Sequence, residues 1–326
     1  MLDFLGSIGH AIMVPLYYAV SFVLVGFHKL FSTFLDPSGG ASWVLSIIGL
    51  TLTIRAALIP LFVKQIKSSR NMQLIQPKVR ELQKKYGHDR ERLAQETMKL
   101  YKESGTNPFA SCLPILLQMP IFLALFRMLD QAAKKGREHG FLTADMAKEF
   151  GDSKLFGEIK VSGTFMNADN AGVMVLAAIL VLAMTATTFM TQRQLMSKNM
   201  PADALSGPYA QQQKLLLYVL PVVFAVGGIA FPIGVLVYWT VSNLWTMCQQ
   251  FYVIRNNPAP GTPAAAAKEE RDREKAARKG LKTPAQLEEE RLAAEADAKR
   301  EEKADTRVQP QRQTKAQRAT KSKKKR

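Results

Sequence analysis

Two cysteines in 326 residues exclude a secreted-type disulfide framework. Both Cys112 and Cys248 fall inside apolar segments, where they read as packing residues, and no spacing of Cys, His, Asp and Glu suits a metal. Catalytic signatures are also missing: there is no HExxH, no GxSxG, no Walker loop and no pair of intramembrane aspartates. An intramembrane protease or an ATP-driven pump has no support, no cofactor is implied, and a non-enzymatic role is expected. The N-terminal MLDFLGSIGHAIMV has neither a basic n-region nor a small-residue cleavage site, and no cysteine follows for lipid attachment, so the segment is expected to be retained. Beyond about Arg255 large apolar residues become scarce.

What is present divides the chain sharply. The sequence is 47% hydrophobic with a net charge of +17, and the apolar residues concentrate in five or six runs of about 20 residues, the length that crosses a bilayer core. These runs exceed what one soluble core needs, so an all-α polytopic membrane protein is expected. Residues 1–42 hold a first apolar segment, 14–34, ending near His28 and Lys29. It has the length to span, and its aromatics also suit an interfacial helix. Further spans are expected at 43–63, 109–129, 173–190, 215–230 and 233–251, together forming a core over 43–255.

Two polar connections interrupt that core. Residues 64–105 carry eleven Lys or Arg against five acids, with apolar residues at helical spacing: Val79, Leu82 and Tyr86, then Leu93, Leu100 and Tyr101. A soluble helical hairpin is predicted there, broken at Gly87, with Asp89 as N-cap of its second helix. Residues 130–172 carry six Lys or Arg against seven acids and read as a partly helical loop. The tail, 256–326, alternates charges, ends in KSKKKR, has no core of its own, and is expected to be basic and largely disordered. Counting basic residues in the loops puts hairpin and tail in the cytoplasm and 130–172 outside. If 14–34 spans, both termini are cytoplasmic.

One residue defies this pattern. Arg55 lies within WVLSIIGLTLTIRAALIPLFV, where a charge near the bilayer centre costs at least about 2.5 to 3.5 kcal/mol. Lys64 marks the nearer surface, so Arg55 is about 13 Å deep, too deep for easy snorkelling. No acid occurs in any apolar run to pair with it. Thr51 precedes it by one turn on the same face, and Gln118, Ser242 and Asn243 are polar positions in other spans. Together they predict a polar groove, although each alone reads first as a helix–helix hydrogen bond.

Several motifs in order resemble the YidC/Oxa/Alb membrane protein insertases: TLTIRAALIPLF, MQLIQPKVRELQKKYG, KLYKESGTNPFASCLPILLQMPIFLALFRML and GVLVYWTVSNLWTMCQQ. The resemblance is strong over about 40–130 and good over 172–255. It implies a five-helix core whose hydrophilic groove opens to the cytoplasm and to lipid and is closed outside. Arg55 matches the family's groove arginine, and Thr51, Phe122, Tyr238 and Trp239 match positions tied to substrate contact. The implied partners are nascent membrane proteins, the Sec translocon, ribosomes bound through hairpin and tail, and anionic lipids, in the cytoplasmic membrane. The chain departs from Gram-negative members in lacking a large extracytoplasmic domain, and from many Gram-positive members in lacking a lipoprotein cysteine. The rival expectations are a secondary transporter or channel with an intramembrane anion site, and a scaffold in which Arg55 is dispensable.

Overall fold

The computed structural model describes residues 2–105, 113–199, 208–282 and 284–305. The chain separates into two units, Met1–Ala266 and Ala267–Arg326. Helices α1 (Leu2–Phe31), α2 (Gly40–Ala57), α3 (Ile59–Tyr86), α4 (Arg90–Glu103), α5 (Leu113–Lys135) and α6 (Ala144–Asp152) come first. A small antiparallel ribbon of β1 (Lys154–Leu155) and β2 (Ile159–Lys160) follows, then α7 (Ala171–Asn199), α8 (Pro208–Gly228) and α9 (Ile233–Asn256). Among the described residues, Ala11–Phe31, Gly40–Ala57 and Ala171–Lys198 are long and apolar enough to cross a membrane, and Leu217–Gly228 is a shorter apolar helix.

Apolar residues at helical spacing build the core. Trp43, Ile47 and Leu50 form one stripe on α2, and Leu125, Met128, Leu129 and Ala132 form another on α5; all are buried, as are Leu236 on α9 and Ala177 on α7. Between spans such contacts are close packing rather than escape from water, because lipid tails are as apolar as leucine.

The expected 43–63 helix is divided. Pro60 has no N–H to offer Ala56, and the chain turns at Leu58, which keeps helical dihedrals and joins α2 to α3. The Leu58 N–H still reaches the Ile54 carbonyl at 3.1 Å and the Phe62 N–H reaches Leu58 at 3.0 Å. Arg55 therefore sits in the last turn of α2.

The 130–172 connection is far more ordered than its balanced charges suggest. Helix α6 starts on a Thr143 cap and turns Ala147 and Phe150 inward; with Leu142 and Val161 they are fully buried. These residues do leave water, each large one contributing about 1.5 to 3 kcal/mol. This cap closes one end of the bundle. Gly40, at the start of α2, lies so close to the Lys154–Leu155 backbone that an added Cβ would sit 2.6 Å from it. At the start of α9 the N–H groups of Ile233 and Gly234 donate to the carbonyls of Gly163 and Val161 at 2.9 and 3.0 Å, satisfying donors that a helix start leaves unpaired.

Helix α1 runs along this cap. The Tyr17 ring stacks on His139 at 4.5 Å, the Phe141 N–H donates to Ser21 Oγ at 2.8 Å, and His28 Nε2 lies 4.0 Å from Glu149 Oε1. His28 also stacks on Trp43 at 3.7 Å. From Tyr17 to His28, α1 meets the cap over about 16 Å of its axis. An interfacial helix would make such contacts along its length, and Ala11–Phe31 also has the length and apolarity to cross a membrane, so both alternatives for 14–34 stand.

At the opposite end α3 continues out of the core and folds back as α4. Asp89 caps α4 as expected, its Oδ1 accepting from the Arg92 N–H at 3.0 Å. No residue of α4 is buried. A cleft of about 370 Å³ runs between the two helices, floored by Leu82 and Leu100 and rimmed by lysines and glutamates. In the second unit, where disorder was expected, the chain forms α10 (Pro263–Lys279, beginning just before the boundary) and α11 (Pro284–Asp305). Alanine and i,i+4 pairs such as Lys268–Asp272 at 2.8 Å favour helix there, and no described residue of α10 is buried. Residues 306–326 lie outside the described residues.

Candidate functional site

Arg55 projects from α2 toward α9, where its Nη2 donates to Ser242 Oγ. Ser242 is one helical turn after Tyr238, and the phenol is close enough to the guanidinium to interact with it electrostatically. Among the described residues Arg55 therefore meets a hydroxyl and a phenol and no carboxylate. It is half-buried, so the charge is neither neutralised by a fixed anion nor displayed in open water.

An aromatic wall adjoins this pair. Phe122 of α5 lies 6.3 Å from Tyr238 and 5.3 Å, edge-on, from Trp239. Trp239 in turn contacts Phe224 at 4.9 Å and Phe231 at 5.8 Å, and Phe126 joins Phe122 and Phe231 at 6.0 and 5.2 Å. Edge-to-face pairs, here Phe122–Trp239, Phe224–Trp239 and Phe126–Phe231, and stacked ones, here Phe122–Phe126 and Phe231–Trp239, favour defined ring orientations. They join α5, α8 and α9 around the tyrosine that touches the arginine pair.

Each expected site residue has a distinct place. Arg55 and Tyr238 come together near Ser242, and Phe122 and Trp239 stand beside Tyr238. Thr51 does not line an opening: it is buried, and its hydroxyl donates to the Ile47 carbonyl at 2.7 Å. Gln118 lies half-buried one turn before Phe122, without a described hydrogen bond to Arg55. Ser242 and Asn243 part company, because Asn243 Nδ2 donates to Thr188 Oγ1 of α7 at 2.9 Å and so ties two helices. Sequence reasoning ranked Ser242 no higher than Asn243, and it missed Phe126, Phe224 and Phe231. The spacing of Phe122 and Phe126, one turn apart, was the signal available for the first of these. Cys112 lies outside the described residues, and Cys248 is exposed and unpaired.

These features define a helical membrane protein whose bundle is capped at one end and holds an arginine on a neutral partner beside aromatic rings. A profile of the 60Kd inner membrane protein family matches residues 34–260. The chain is 46% identical over 279 residues to the membrane protein insertase YidC of Streptomyces avermitilis, covering 82% of this chain and 63% of that protein. It is 39% identical over 280 residues to that of Tropheryma whipplei, covering 81% and 89%. With that of Bifidobacterium longum the identity is 36% over 294 residues, covering 87% and 88%. A solved structure, an active YidC insertase crystal structure with the first transmembrane domain resolved, is 24% identical at a TM-score of 0.43, over 72% of this chain and 46% of that one; this likeness is too low to carry an argument. The chain belongs to the 60Kd inner membrane protein family, the family of the YidC membrane protein insertases. It is membrane-embedded, and the name its relatives bear describes a non-enzymatic role.

Proposed function

We propose that the protein is a membrane protein insertase and chaperone of the cytoplasmic membrane. It receives transmembrane segments of nascent proteins at the Arg55 site and releases them into lipid, alone or beside the Sec translocon. One observation carries this reading: a half-buried guanidinium held by a hydroxyl, with no carboxylate partner among the described residues. A fixed ion pair would have spent that charge on structure, whereas a hydroxyl leaves it able to attract a passing acidic or carbonyl group. Arg55, Tyr238, Phe122 and Trp239 form the receiving surface, Ser242 orients the arginine, Gln118 extends the polar side, and Thr51 packs behind.

The proposed orientation puts the cap outside and the α3–α4 hairpin and tail in the cytoplasm, following the basic excess of the hairpin. There the hairpin and tail meet ribosomes and anionic lipid heads. The polar segment of a substrate crosses partway beside the arginine, and its apolar residues then enter lipid, each central Leu, Ile, Phe or Val contributing roughly −0.3 to −0.6 kcal/mol. No nucleotide hydrolysis enters this scheme.

The test is insertion of a small single-span substrate into proteoliposomes containing only this protein, comparing the native chain with Arg55→Ala and Arg55→Lys. The expected outcome is that native protein inserts, Ala loses most activity on substrates with acidic translocated segments, and Lys keeps most of it. Equal insertion by Ala and native protein for every substrate would sink the reading and favour a scaffold, while saturable anion uptake would favour a transporter.

A further inference from the structure

The cap presents large apolar side chains where a water-facing surface would not gather them. Phe34 in the α1–α2 connection is 78% exposed, Phe141 before α6 is 51%, Met166 before α7 is 64%, and Phe156, in the turn between β1 and β2, is 89%. Single exposed apolar residues are ordinary. Four at one end of the bundle, each in a different connecting segment, form a pattern.

Phe156 stands out further because its φ is +51°, the one positive value among described non-glycine residues. Left-handed backbone favours glycine or asparagine, and Gly157 beside it, at φ +79°, shows the turn's demand. A bulky ring is therefore held in a conformation that a smaller residue would adopt more easily. The ring is also pushed outward on a pinned stem, with Leu155 paired to Ile159 and Lys154 to Lys160. The stem touches Gly40 at the start of α2, and Ile159 lies against Gly172 at the start of α7, where an added Cβ would be 3.0 Å away.

We propose that the β1–β2 tip is a lipid anchor, with the Phe156 ring seated at the boundary between headgroups and acyl chains on the cap side. The occupant follows from continuity. The stem stands where two apolar helices begin, the tip is within about 7 Å of that level at about 3.3 Å per residue, and the exposed strip Met174, Val175, Ile179 and Leu182 of α7 starts at the same place. Interfacial elements seat Trp, Phe and Leu side chains at the boundary of headgroups and acyl chains. The inference rests on α2 and α7 being membrane helices and is independent of the insertase reading.

The experiment places an environment-sensitive nitrobenzoxadiazole label at Phe156→Cys, and in a second protein at exposed Glu138→Cys in the same cap, with Cys112 and Cys248 replaced by Ser. Both are reconstituted in phosphatidylcholine–phosphatidylglycerol vesicles and quenched by headgroup-level spin-labelled lipid or by aqueous iodide. The label at 156 is expected to emit further to the blue, to be quenched several-fold more by the lipid probe than the label at 138, and to be shielded from iodide. Identical behaviour at the two positions overturns the proposal, as does protection from both quenchers, which would mean a protein partner. A label-free arm compares hydrogen exchange at residues 155–159 in the native chain and Phe156→Asn, which retains the left-handed turn. Several-fold faster exchange in the variant in vesicles, but not in detergent, is expected, and equal rates in vesicles overturn the proposal.

Discussion

Residues 64–105 and 130–172 are both polar connections of about the same length, yet one leaves the bundle as an arm and the other folds onto it as a cap. The arm has a strong basic excess and spaces its apolar residues for a two-helix contact, so Leu82 and Leu100 line the cleft between its own helices and α4 buries nothing. The cap's charges nearly balance. Its Leu142, Phe150 and Val161 enter the core, and glycines such as Gly234 leave them room: a Cβ there would be 2.9 Å from the Phe150 ring. Charge bias and the target of the apolar residues, rather than overall polarity, decide which connection becomes structure.

The largest expected effect that sharpens this contrast is Trp43→Ala. The indole is fully buried between His28 and Phe150, so its loss should remove about 3–5 kcal/mol, read as a lower thermal midpoint in detergent. Leu100→Ala in the arm should change that midpoint by no more than about 0.5 kcal/mol. If the two variants behave alike, the distinction between cap and arm fails.

Smaller effects probe each region locally. Asp89→Ala removes the α4 cap and should cost about 1 kcal/mol, visible as faster amide exchange in α4 with an unchanged global midpoint. Asn243→Ala should loosen α7 against α9 by about 0.6 kcal/mol while substrate insertion persists, in contrast to Arg55→Ala.

The weakest effect is a pH slope carried by the cap. Burial first, and Arg137 next, hold the His139 imidazole below its ordinary value. The folded state then resists a proton that the unfolded chain accepts, so its stabilisation is present above about pH 6.5 and is lost as pH falls through that value. Glu149 acts in the opposite sense. Burial first, and Asp36 next, raise its carboxyl above the usual range, so the stability linked to it is greatest in acid and declines as pH rises past the usual glutamate value. Thermal midpoints of His139→Gln and Glu149→Gln across about pH 4–8 separate the two slopes.

The legible parts were those carried by local chemistry. Arg55 announced itself as a charge in an apolar run, and Asp89 as a cap before RERLAQ. Helices α7 and α9 followed from length and apolarity. The cap was not legible because two-residue strands give no periodicity and Phe150 and Val161 are isolated in a charged stretch. Ser242 could not be preferred over Asn243, since which of two neighbours faces α2 depends on how α9 is rotated in the bundle. The division at Leu58 was available in Pro60, whose missing N–H outweighs the uninterrupted hydropathy around it.

The start of α9 bears on the rival reading of an anion transporter. Broken-helix transporters leave the positive pole of a half-helix bare so that a negatively charged solute can dock on it. Here the backbone of residues 161–163 already occupies the Ile233 and Gly234 N–H groups. A solute arriving from the cap side would find a stopper where a socket is needed.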